Sequence, residues 1–106
     1  MFGLDFVKKA QEMQTEMQEL QKELEYKIVH GFSGAYESSP IVSIEMSGKQ
    51  EVKSVKVNEA ALKTLSARDL ENHIYSATNQ ALAKSREMMA SEMSKITGGL
   101  KIPGLF

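Results

Sequence analysis

An α+β fold is expected for this chain: a long N-terminal helix, a three-stranded antiparallel sheet and a long C-terminal helix. Three observations predict it. Phe6, Ala10, Met13, Met17, Leu20 and Leu24 recur at alternating spacings of four and three, a heptad-like apolar seam. A second helical pattern runs from about Ala67 to Ile96. Between them lie three short segments rich in β-branched or alternating apolar residues, separated by turn-forming residues. From the helical rise, the first helix would be roughly 30 Å long and the second roughly 45 Å. Strands of this length reach only about 20–25 Å. So small a sheet cannot cover such helices, and the uncovered apolar surface points to self-association.

The elements follow in order. The first helix should start near Leu4, with Asp5 in the N-terminal turn where a negative charge is favoured, and end near Glu25. Tyr26-Lys27-Ile28-Val29-His30-Gly31-Phe32 then reads as a strand, with Gly31 weakening its end. Residues 33–40 form a turn-rich connection. In Ile41-Val42-Ser43-Ile44-Glu45-Met46, Val42, Ile44 and Met46 share one face. Ser47-Gly48-Lys49-Gln50 is a hairpin turn, and Glu51 to Val57 is the third strand. The odd step from Val52 to Val55 predicts a bulge there.

Asn58 can cap a short helical turn, and Ser66-Ala67-Arg68-Asp69 resembles a capping box opening the long helix. That helix carries two stripes: Leu70, Ile74, Ala77, Ala81 and Met88, and Tyr75, Leu82, Met89, Met93 and Ile96. Two stripes exceed what one small sheet requires, and Ala77 and Ala81 allow close approach. Gly98-Gly99 should stop the helix, leaving a tail over 98–106 of one domain spanning 1–106.

Composition narrows the function class. With 42% hydrophobic and 25% charged residues, the chain has the balance of a soluble globular protein. It has no cysteine, which excludes disulfides and thiolate chemistry and suits a reducing compartment. No apolar run approaches a membrane span, and Met1-Phe2-Gly3-Leu4-Asp5 lacks the marks of a signal peptide, so a cytoplasmic location is expected. A net charge of −1 provides no global attraction to polyanions. Residues 2–25 are locally acidic, with three lysines against six carboxylates. A nucleic-acid surface would therefore have to be local and doubled by symmetry.

An active site is hard to assemble. His30 and His73 sit in different elements without ligand-spaced partners, and neither Gly31-Phe32-Ser33-Gly34 nor Gly98-Gly99 matches a phosphate-cradling loop. Glu12, Glu16, Glu19 and Glu23 have the spacing of a solvated helix face. A non-enzyme is expected, without cofactor, metal or small-molecule substrate. Met13, Met17, Met88, Met89 and Met93 serve either ordinary helix packing or an adaptable peptide-binding surface. The helical cations Lys8, Lys9, Lys22, Lys84, Arg86, Lys95 and Lys101 are either solvated surface or phosphate contacts. No aromatic residues interleave with them as a single-strand stacking platform requires.

Several short motifs, taken in order, carry a resemblance. They are Met1-Phe2-Gly3 leading into Lys9-Ala10-Gln11-Glu12-Met13-Gln14, Met17-Gln18 and Leu20-Gln21; Gly31-Phe32-Ser33-Gly34-Ala35; the Ile41-to-Gly48 strand and turn; Val55-Lys56-Val57-Asn58; Asn79-Gln80-Ala81; and Pro103-Gly104. Over nearly its whole length the chain resembles the YbaB/EbfC family of small bacterial nucleoid-associated DNA-binding proteins. The resemblance implies an intertwined homodimer joined through sheet and helices, with protruding helices that grip double-stranded DNA like tweezers. It also implies little sequence preference, a nucleoid location, and a role in nucleoid organisation and gene regulation without catalysis. Two features depart from the family pattern. Tyr36-Glu37-Ser38-Ser39-Pro40 lengthens the first hairpin, and the first helix is more acidic than a DNA-gripping arm implies.

On this basis Lys8, Lys9, Lys84, Arg86 and Lys95 are expected to contact phosphates. Val42, Ile44, Met46, Val55 and Val57 of the strands, with Ile74, Ala77 and Ala81 of the long helix, are expected in the core or dimer interface. A dimeric protein-interaction adaptor without significant DNA affinity is the alternative.

Overall fold

Helix α1 spans Phe2–Leu24, beginning two residues before the expected start near Leu4. The first N–H groups of a helix need only water, so Gly3 can be accommodated in an exposed opening turn. The structure is a computed structural model and describes residues 2–98. The expected tail beyond Gly98 lies outside the described residues.

After Leu24 the chain turns rather than extending at once. The N–H groups of Tyr26 and Lys27 both donate to the Glu23 carbonyl, at 3.0 and 3.2 Å. Strand β1 therefore covers Ile28–Ser33 instead of starting at Tyr26. It pairs antiparallel with β2 (Val42–Ser47), which pairs antiparallel with β3 (Val52–Val57), in the order β1-β2-β3. Ile44 lies opposite Val55 and Met46 opposite Val52, so Lys53 is the extra residue of a bulge. That bulge puts Val52 and Val55 on the same face despite their odd spacing. In the turn between β2 and β3, the Ser47 hydroxyl accepts from the N–H groups of Lys49 and Glu51 at 3.2 and 3.3 Å, and Gln50 takes φ 64°.

Asn58 caps the short α2 (Glu59–Leu62), its side-chain oxygen accepting from Ala61 N–H at 3.2 Å. Ser66 caps α3 (Ala67–Thr97), accepting from Asp69 N–H at 3.1 Å. Gly98 ends α3 in the left-handed conformation, φ 60°.

The core lies where α3 crosses the sheet. Val29, Val42, Ile44 and Met46 pack against Ala77 and Ala81. Helix α3 rests mainly on β1 and β2; on the same face of β3, Val57 packs against the core while Val52 and Val55 stay exposed. Helix α1 is anchored at its C-terminal end. Leu20 and Leu24 are buried, and Gly48 N–H donates to the carbonyls of Leu24 and Lys27 at 2.9 Å each. Towards the N-terminus the seam emerges into solvent: Met17 and Met13 are half-buried, Ala10 is exposed, and Phe6 is 74% exposed. The protomer measures 70 × 22 × 20 Å, with a radius of gyration of 19.1 Å. A compact domain of about 100 residues would have a radius near 13 Å.

Candidate nucleic-acid interface

The site is built on the crossing of α3 over β1. There the glycine read as a strand weakener has a different role. A Cβ on Gly31 would strike the Ala77 carbonyl oxygen and approach the Ala81 nitrogen to 2.7 Å. Glycine opposite two alanines lets strand and helix touch backbone to backbone. One turn further along the same face, Ser85 is buried and donates to the Ser47 carbonyl at 2.8 Å. The i, i+4, i+8 spacing of Ala77, Ala81 and Ser85 could have identified it, but an apolar periodicity passes over a serine.

The outer edge of β1 is also closed by α3. Phe32 N–H donates to the Gln80 side-chain oxygen at 2.7 Å, and Lys84 donates to the His30 carbonyl at 2.8 Å. These side chains substitute for a neighbouring strand. Ser33 Oγ lies 2.7 Å from His73 Nδ1, tying the end of β1 to the first half of α3. Among the described residues no carboxylate is hydrogen-bonded to His73. No cluster of metal-ligating residues occurs among the described residues.

The five candidate phosphate-binding cations are not gathered into one patch. Lys8 and Lys9 are exposed on the projecting half of α1, and Arg86 is exposed on α3. Lys84 is turned to the β1 edge, its ammonium 5.5 Å from the Phe32 ring centroid as well as bonded to His30. Lys95 pairs with Glu92 at 3.2 Å, and Glu92 also pairs with Lys27 at 3.4 Å. Hydrogen bonds from Lys95 and then Lys27 hold the Glu92 carboxyl below its ordinary range. On α1, Glu12, Glu16, Glu19 and Glu23 are all exposed, as a solvated acidic face requires.

The candidate core and interface residues divide into two groups. Val42, Ile44, Met46, Ala77 and Ala81 are buried within the protomer, and Val57 packs against them half-buried. Val55 and Ile74 remain 52% and 39% exposed, beside Val52 at 53%. Val55 faces the same side as Ile44 but lies beyond the cover of α3. No helix among the described residues is long and apolar enough to cross a membrane.

Comparison with known proteins places this architecture. A nucleoid-associated protein of Caldanaerobacter subterraneus subsp. tengcongensis is 41% identical over 96% of this chain and 88% of its own length. One from Clostridium acetobutylicum is 38% identical over 95% of this chain and 87% of its own. The crystal structure of an uncharacterized protein from Helicobacter pylori superposes with a TM-score of 0.71 at 18% identity, covering 84% of this chain and 89% of that one, and so shares its fold. The profile of the YbaB/EbfC DNA-binding family matches residues 3–100, and the chain belongs to that family.

Proposed function

We propose that the protein works as a homodimer that binds double-stranded DNA with little sequence preference, contributing to nucleoid organisation and gene regulation. The observation that carries this reading is family membership over residues 3–100, joined to a protomer whose helical arm extends far beyond its core. The binding is carried by charge on the phosphate backbone, with Lys8 and Lys9 on the arm and Arg86 on α3 as the cations most available for it. Lys84 and Lys95 contribute less, because each already has a partner within the protomer. Duplication by two-fold symmetry brings two arms to one duplex and so presents the local cations twice, although the net charge of −1 per protomer gives no overall attraction.

The second copy meets the first beside β3. The β1 edge is filled by Gln80 and Lys84, whereas Val52 and Val55 form an exposed apolar strip on β3. The acidic exposed face of α1 favours one other reading, a dimeric adaptor that binds protein and not DNA.

A salt titration separates the two. Phosphate binding requires log affinity to fall linearly with log salt concentration. Reversing Lys8 and Lys9 together to Glu should weaken all duplex sequences alike. It should also flatten that slope by roughly 2 per protomer, because two phosphates are then no longer neutralised. Absence of binding at low ionic strength would leave the adaptor.

A further inference from the structure

We infer that the projecting halves of two α1 helices from different copies pair antiparallel, linking one DNA-binding unit to the next. This interaction goes beyond duplex binding and needs no DNA, although it draws on Lys9, so pairing and phosphate contact compete for that one cation. The seam Phe6, Ala10, Met13 and Met17 alternates d, a, d, a in heptad terms, and its continuation, Leu20 and Leu24, is the part already buried. Among the described residues nothing covers Phe6 or Ala10, so the seam is half used.

A second copy of the same arm fits what remains. In an antiparallel pair an a residue meets a d residue. Setting Ala10 against the second copy's Met13 places Phe6 against the second copy's Met17, with both layers repeated by symmetry. This register sets the flanking charges. Lys9 and Glu16 occupy g positions on the same side of the seam, and in an antiparallel pair g faces g. Lys9 of each arm then meets Glu16 of the other, giving two equivalent ion pairs. Both side chains are exposed, and neither takes part in an ion pair among the described residues. Glu16, a carboxylate unfavourable for a phosphate contact, thereby gains a cationic partner on a reversed copy of the arm.

Sedimentation of the full chain without DNA, over a range of concentrations, tests the pairing. Wild-type protein should show a concentration-dependent species of twice the mass of the proposed homodimer. Phe6→Ser should abolish that species. Lys9→Glu and Glu16→Lys should each weaken it roughly tenfold, since both symmetry-related ion pairs turn into like-charge repulsions. The swap K9E/E16K should restore it, which a merely unfolded arm would not allow. A mass distribution unaffected by Phe6→Ser, or a swap no better than Lys9→Glu alone, overturns the pairing and leaves the seam to some other occupant. Because no DNA is present, failure here is distinguishable from failure of duplex binding.

Discussion

Gly31 shows at the level of a single residue how this fold is specified. It lies in the middle of β1, where glycine is ordinarily a cost, yet α3 approaches so closely that no side chain fits. Gly31→Ala should destabilise the protein by about 1–3 kcal/mol, towards the upper end because the obstructing atoms are backbone. A lowered urea midpoint with an unchanged slope is the expected readout. The motifs Gly31-Phe32-Ser33 and Asn79-Gln80-Ala81, far apart in sequence, meet at this crossing. Gly31 packs on Ala81, Phe32 bonds Gln80, and Ser33 bonds His73. Residues that carry the family likeness therefore take part in assembling the scaffold. Their pairing was not legible in sequence, because nothing local to a strand glycine names the helix that crosses it.

The helices divide the work between support and reach. Helix α3 is held along the sheet by its small-residue face and by Gln80, Lys84 and Ser85, whereas α1 is held near Leu20 and Leu24. Glu92 strengthens that limited junction by joining Lys27, in the turn after α1, to Lys95 on α3. Its folded-state pKa is lowered by hydrogen bonds from Lys95 and Lys27, so its stabilising contribution is present above the unfolded-state pKa and is lost as pH falls through the folded value. Glu92→Gln should accordingly lower the melting temperature near neutral pH. It should also reduce the fall in melting temperature on acidification, and the two curves should converge at low pH. An unchanged acid-side slope in a pH series of thermal melts would remove Glu92 from this role. The caps at Asn58, Ser66 and Gly98, like the β3 bulge, were legible in sequence because each depends on residues within a few positions.

For the molecule as a whole, the imbalance between long helices and a small sheet has the consequence expected of it: an extended protomer with apolar residues left outside the core. Among the described residues eight hydrophobic side chains are buried, a small core for a domain of this length. The exposed Val52 and Val55 strip is the proposed place where a second copy adds to that core. Val55→Asp should shift the protein from dimer to monomer at micromolar concentration, measured by light scattering. Val55 is half-exposed in the protomer, so the substitution should leave the helical content of the fold largely intact. A dimer that survives this change would move the proposed interface elsewhere.

By itself the sequence determined the order of elements, the caps, the bulge and the excess of helix over sheet, because periodicity and turn chemistry act over short distances. It also supplied the cations and the apolar positions as two undivided sets. Only the tertiary structure decided how each set divides. The crossing of α3 over β1 buried Ala77 and Ala81 and left Val55 open. The same crossing committed Lys84 to a strand edge while Lys8 and Lys9 remained in solvent. Residues of one type received different roles because burial and partnership depend on which elements meet in space, and a one-dimensional pattern does not contain that information.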